Sequence, residues 1–284
     1  MTEHLPEARF TSRRPATLAH RRLHSPGTSP DRWVLFLHGF LGAGRNWASI
    51  GRGLVHARPD WGVVLVDLRL HGDSQGFAPP HTVATSSTDV NSLILHLQGK
   101  ETVIVGHSFG GKVALSAARS ESSGLRQVWV IDSTPSAGRT RAGADRLLGL
   151  MARLPERFDD RSEVITAVRA AGFNVHIAEW TATNLVRRSD GYRWRVDLAS
   201  LDLLLEDFFR EDLWSVVEPP VAGLELFFIR ATSGSILDSA SAARIGRLEA
   251  DGECVRLIDL EGGHWLNMAN PDGLLELLVR HLPR

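Results

Sequence analysis

One serine stands where a chain could make a nucleophile. Ser108 lies in Gly106-His107-Ser108-Phe109-Gly110, between an apolar, β-branched run at 102–105 and a helical pattern that begins with Val113, Ala114 and Ala117. A strand that turns straight into a helix leaves no room for side chains at the flanks of the turn, so glycine is needed at both ends. The serine between them is held in a strained conformation, its hydroxyl raised above the sheet. Free N–H groups and the positive dipole end of the following helix point at the same place. This context predicts a nucleophilic Ser108.

A serine hydroxyl is a poor nucleophile at neutral pH and needs a base. Of the 12 histidines, His264 has the fitting context, Glu261-Gly262-Gly263-His264-Trp265, after a strand-like run and before the last helix. A loop supported by glycines can swing an imidazole across the strand ends, so His264 is the predicted general base. A carboxylate must then fix its tautomer and stabilise its protonated form. The order Ser, acid, His confines that carboxylate to positions between 108 and 264. Asp132, which ends the strand after the elbow helix, is the first choice. Asp238 is the alternative acid; it comes late in the loop R-A-T-S-G-S-I-L-D at 230–238, near a helix start where capping would explain it. The backbone N–H groups of Phe109 and of Phe40, in His38-Gly39-Phe40-Leu41-Gly42, are the expected oxyanion-hole donors. His107 is expected to point into the fold beside the serine, and His38 and His71 to bond neighbouring loops. Lys112, Arg69 and Asp73 are read as ties for the elbow helix and the 67–74 loop.

These groups need a rigid frame, and the pattern supplies one. Buried strands are expected at 33–37, 63–66, 102–105 and 128–131, with helices from Asn46 to about 57 and over 87–97. Unbroken apolar strands alternating with helices predict an α/β fold, a mostly parallel central sheet flanked by helices. The alternation stops near 136. Helices at 144–154, 161–171 and 201–209 follow, rich in Trp and Phe, and sheet pattern returns at 224–229 and 255–258 after Pro219-Pro220. Residues 1–135 and 218–284 are therefore expected to form the core domain, and 136–217 a helical cap, or lid, inserted over its sheet. Some cap aromatics should pack its own small core and others line an apolar substrate pocket. A weak pattern at 10–24 predicts one or two short edge strands.

Composition narrows the function. Acidic and basic residues nearly cancel, 33 against 32, so no broad field points to nucleic acid or an anionic membrane. The single cysteine, Cys254, excludes an internal disulfide and a multi-cysteine metal site, and no metal is expected. In its strand-like run it reads as a buried, inert thiol. No apolar run approaches the roughly 20 residues of a membrane helix. The first 30 residues lack the apolar stretch of a secretory signal; Arg9, Arg13, Arg14, Arg21 and Arg22 faintly suggest organelle import, against which Glu3 and Glu7 argue. Cytoplasmic is the default expectation.

From about Trp33 to Leu282 the chain resembles the α/β-hydrolase superfamily. The runs H-G-F-L-G at 38–42, D-L-R-L-H-G-D-S at 67–74, G-H-S-F-G-G-K at 106–112, I-D-S-T-P at 131–135 and G-Y-R-W-R-V-D-L at 191–198 look like its small serine-esterase branch. That branch includes bacterial acyl esterases and abhydrolase-domain-containing protein 11. The resemblance implies a serine esterase or thioesterase working without cofactor on a small-molecule acyl ester or thioester. It also implies an acid after the strand that follows the elbow, which matches Asp132. Other reactions on the same triad stay open: a carbon–carbon bond hydrolase or lyase, which a polar pocket bearing Arg187, Arg188, Arg193 and Arg195 would favour, and a cofactor-free perhydrolase. A non-catalytic ligand receptor is a further reading. Monomer and homodimer are both open.

Overall fold

The computed structural model describes residues 17–97, 99–120, 124–138 and 141–284. Its elements run in chain order as β1 (His20–Leu23), β2 (Arg32–Leu37), α1 (Ala48–Ala57), β3 (Gly62–Val66), α2 (Val83–Leu97), β4 (Glu101–His107), α3 (Phe109–Ala117) and β5 (Leu125–Ile131). Then come α4 (Ala142–Arg153), β6 (Arg157–Phe158), α5 (Arg161–Ala170), α6 (Val175–Ala182), β7 (Leu185–Arg188), β8 (Gly191–Trp194), α7 (Leu198–Arg210) and α8 (Trp214–Val217). The chain closes with β9 (Glu225–Ala231), α9 (Ser239–Ala250), β10 (Val255–Leu260), α10 (Leu266–Ala269) and α11 (Pro271–His281).

A seven-stranded sheet in the order β1-β3-β2-β4-β5-β9-β10 carries the fold. Only β1 runs antiparallel to its neighbour; every other pair is parallel. Side chains alternate across the strands. Leu35 and Leu37 of β2 therefore join one apolar layer with α2, α3 and α9, while Val34 and Phe36 join the other with α1 and α11. Burial on both faces is why these strands read as unbroken apolar runs. The fold expected from the sequence is the fold observed, with helices on both sides of a mostly parallel sheet.

The 136–217 segment differs in one respect from the all-helical expectation. It holds four helices, α4 to α7, before the short α8, and also a three-stranded antiparallel sheet in the order β6-β8-β7. Arg188-Ser189-Asp190-Gly191 turns β7 into β8, and Gly191 takes φ 133°. The Asp-Gly pair is a hairpin signal that the surrounding helical pattern obscured. Leu147, Met151, Val164, Leu201 and Leu204 of this segment belong to the same apolar cluster as α2 and α3. It packs as an extension of the core.

Cys254 is exposed, not buried: it precedes β10, the edge strand, and its carbonyl accepts from Leu226 N–H. The edge strand expected at 10–24 is seen as β1 from His20, paired with β3. Its first part, and the arginines before residue 17, lie outside the described residues.

Candidate active site

Sterics make the turn between β4 and α3. A Cβ on Gly106 would stand 2.1 Å from Gly110 O, and one on Gly110 2.6 Å from both Leu37 O and His38 O. Only glycine lets the helix start this close to the strands. Ser108, the residue before the helix, takes φ 52° and ψ −114°, outside the ordinary regions, and its N–H donates to Ile131 O at 3.0 Å. Such a backbone stores of order 1–3 kcal/mol and is kept only where its surroundings over-determine it. Phe109 is the first helical residue, so its N–H has no intrahelical acceptor.

Asp132 and His264 meet across the ends of three strands. Asp132 directly follows β5 with φ 41°, and its N–H donates to Ile229 O of β9 at 2.7 Å. His264 Nδ1 donates to Asp132 Oδ2 at 2.6 Å, which leaves Nε2 as the acceptor. The carboxylate also accepts from Ala231 N–H at 3.1 Å, Ser235 Oγ at 2.5 Å and Ile236 N–H at 3.3 Å. Burial alone would raise the pKa of Asp132; the bonds from His264, Ser235 and Ala231 outweigh it and hold the carboxyl below its usual value. Ser235 was not singled out by sequence reasoning. Its one signal is a hydroxyl in the 230–238 loop that lacks an acid in its first positions.

Asp238 also stands on the wall of the cavity that Ser108 and His264 share, but among the described residues it bonds neither of them. It caps α9, accepting from Ala240 N–H at 3.0 Å, Ser241 N–H at 2.9 Å and Ser241 Oγ at 2.7 Å.

Three buried histidines hold the loops around this pair. His107 Nε2 donates to the carbonyl of His264 at 2.7 Å, so the elbow itself anchors the loop that carries the imidazole. His38 accepts from Leu68 N–H at 3.0 Å through Nε2, which forces its proton onto Nδ1, and that donates to Gly39 O at 2.8 Å. His71 donates from Nδ1 to Arg69 O at 2.9 Å. Burial pushes His38 down to about 4 and His71 and His107 down to about 3, so all three are neutral. An unfolded histidine titrates near 6.5. As pH falls below that value the unfolded chain takes up protons that the native state refuses, and stability declines down to the folded pKa values. Each group then contributes a loss of about 2 kcal/mol by pH 5, together comparable with the stability of an ordinary domain. The urea midpoint is expected to drop steeply between pH 6.5 and 5; a level profile over that range would show that these histidines charge in the folded protein.

Phe40 belongs to a tight turn, in which Gly42 N–H donates to Gly39 O at 2.9 Å and Leu41 takes φ 59°. Among the described residues the Phe40 N–H has no acceptor in the protein. Ser108, Phe40, Phe109 and His264 all line one cavity of about 890 Å³. Residues of the 136–217 segment form much of its apolar wall: Leu147, Phe173, Ile177, Trp180, Phe208 and Phe209. None of Arg187, Arg188, Arg193 and Arg195 lines it; Arg193 pairs with Asp190 and Arg195 with Asp73. Lys112 does reach the wall, but its Nζ donates to the carbonyls of Phe208 at 2.6 Å and Glu211 at 2.7 Å, holding the end of α7. Among the described residues no group of three or more His, Cys, Asp or Glu side chains could hold a metal ion, and no helix is long and apolar enough to cross a membrane.

Comparison with known proteins agrees with this fold. The family model for the alpha/beta hydrolase fold matches residues 32–270. The sn-1-specific diacylglycerol lipase ABHD11 of Danio rerio is 26% identical over 255 residues, 88% of this chain and 78% of that protein. Lipase LipV of Mycobacterium tuberculosis is 28% identical over 251 residues, 86% of this chain and 91% of that protein. Among solved structures, a marine microorganism esterase superposes with a TM-score of 0.80 at 21% identity, covering 94% of this chain and all of that one (100%). The family match spans β2 to β10, the elbow and the His264 loop alike, and the chain belongs to the α/β-hydrolase fold family.

Proposed function

We propose that this protein is a serine hydrolase of carboxylic esters, with Ser108 as nucleophile, His264 as general base and Asp132 as its acid. The observation that carries the reading is that Ser108 opens onto the same apolar cavity as a His264 whose Nδ1–H is already committed to a buried carboxylate. That bond selects the tautomer with a basic Nε2. The lipase relatives support an ester as substrate. Residues 136–217 act as the cap, and their apolar wall suits an acyl chain better than the anionic substrate a carbon–carbon hydrolase would require.

Ser108 Oγ attacks the ester carbonyl carbon while its proton passes to His264 Nε2. The carbonyl electron pair moves onto oxygen, and the Phe40 and Phe109 N–H groups receive the oxyanion; one such donor is worth roughly 3 kcal/mol in a transition state. Collapse breaks the bond to the leaving oxygen or sulfur, which takes the proton from His264, and an acyl-serine remains. Water then gives a proton to His264 and attacks the acyl carbon, and Ser108 recovers its proton. Asp132 stays ionised throughout and stabilises the imidazolium.

Hydrolysis of p-nitrophenyl esters from acetate to palmitate, together with a fluorophosphonate probe, tests the reading. Turnover on at least part of the series is expected, and mass spectrometry should find one phosphonate adduct, on Ser108. A folded protein that hydrolyses no ester and takes no label would refute it.

A further inference from the structure

The loop carrying Phe40 is fastened almost everywhere by the sheet and its loops. Leu68 N–H bonds His38 at one end, and at the other Ala43 N–H donates to Asn46 Oδ1 and Gly44 N–H to Asp67 Oδ1, both at 2.7 Å. Its tip is the exception. Leu41, a non-glycine residue held at φ 59°, offers its carbonyl to Asn184 Nδ2 at 3.0 Å. Asn184 is only 5% exposed and stands 143 positions along the chain, between α6 and β7. A second bond at the same corner, from Arg45 Nη2 to Thr183 O at 3.3 Å, runs between the same two segments.

Helix α6 is also part of the cavity. Ile177 and Trp180 line it, and the Trp180 ring lies 6.3 Å from that of Trp265, the residue after His264. One helix of the insert thus touches the loop of the proposed base through Trp180 and, through the residues that follow its end, the loop of the proposed oxyanion donor.

Resting on the serine-hydrolase reading, we propose that Asn184 is a positioning residue: by holding the Leu41 carbonyl it keeps the Phe40 N–H aimed at the developing oxyanion, so that the seating of the insert governs transition-state stabilisation. The physical ground is the left-handed Leu41. A leucine there is strained by about 1–3 kcal/mol and would relax without a partner for its carbonyl, turning the adjoining Phe40–Leu41 backbone away. An oxyanion donor that is a main-chain group cannot be deleted by mutation, and Asn184 supplies a side chain through which it can be moved. Displacement of about 1 Å at such a site lowers turnover by up to roughly a hundredfold.

The test compares wild type with Asn184→Ala and Asn184→Gln, each checked by urea unfolding. Three quantities are read: kcat and KM on a p-nitrophenyl ester, inhibition by an alkyl trifluoromethyl ketone, and inhibition by the matching fatty alcohol. The ketone adduct on Ser108 places an oxyanion in the hole; the alcohol only fills the cavity. Asn184→Ala is expected to lower kcat by roughly 10- to 100-fold with KM within about threefold. The ketone should weaken by the same factor as kcat, and the alcohol should bind as to wild type. Asn184→Gln, which keeps the amide but displaces it by one methylene, should show the same split in a milder form, and it carries the test where the alanine variant does not fold. Unchanged kcat and ketone affinity in a folded variant, or parallel loss of ketone and alcohol binding, would overturn the role of Asn184. A wild type that neither hydrolyses the ester nor binds the ketone would instead remove the serine-hydrolase reading itself.

Discussion

Replacing Ser108 by alanine is expected to lower kcat about a hundred-thousand- to a million-fold while leaving the fold intact. The magnitude follows from the triad acting as a unit: without the nucleophile neither base nor acid has a proton to move, and only the oxyanion donors and the cavity remain. The fold should survive because the strain at residue 108 belongs to its backbone, φ 52°, and to the glycines at 106 and 110, not to the hydroxyl. Ser108 Oγ makes no hydrogen bond among the described residues, so alanine leaves no buried group unpaired. Single-turnover assays at high enzyme concentration, with wild type and variant matched for urea midpoint, check this. Loss of the fluorophosphonate adduct should accompany the loss of turnover. A reduction of only tenfold would mean that a different group attacks the substrate.

The second large effect concerns the acid. Asp132→Asn is expected to lower kcat about ten-thousand-fold, because the amide N–H₂ can donate to His264 Nδ1 and turn the imidazole to the tautomer whose Nε2 already carries a proton. Such a ring cannot accept the serine proton. The same change sets an amide among donors from Ala231, Ser235 and Ile236, so a lower urea midpoint is expected as well. Asp238→Asn is the matched control. Asparagine caps a helix about as well as aspartate, and among the described residues the Asp238 carboxylate bonds only the first turn of α9; its kcat should stay within about threefold. Parallel kcat measurements on the two variants decide the matter, and the opposite ranking would transfer the acid role to Asp238.

The elbow was legible because its causes are local. Gly106, Ser108 and Gly110 sit within five residues, and the close approach of Gly106 to the Gly110 carbonyl, 2.1 Å from a Cβ, follows from any strand that turns at once into a helix. The α/β layering was legible for a similar reason. Each strand of the sheet interior is buried on both faces and announces it in three to five consecutive apolar residues. The hairpin β7–β8 was missed although Asp190-Gly191 marks it, since a four-residue strand carries little periodic signal between helices. The exposure of Cys254 depends on β10 being the edge of the sheet, a property of strand order that no local window contains.

By itself the sequence determined the layered fold, the strained serine and the glycine-supported histidine, all properties of short stretches whose sterics and burial act within a few residues. Which carboxylate meets His264 was decided only by the tertiary structure. Parallel pairing of β5 with β9 sets Asp132 among the donors of the loop after β9, while the start of α9 draws Asp238 to its own N–H groups. The bond from Asn184 to Leu41 is of the same kind. Its partners are 143 positions apart, and nothing in either segment specifies the other until the insert has packed onto the core.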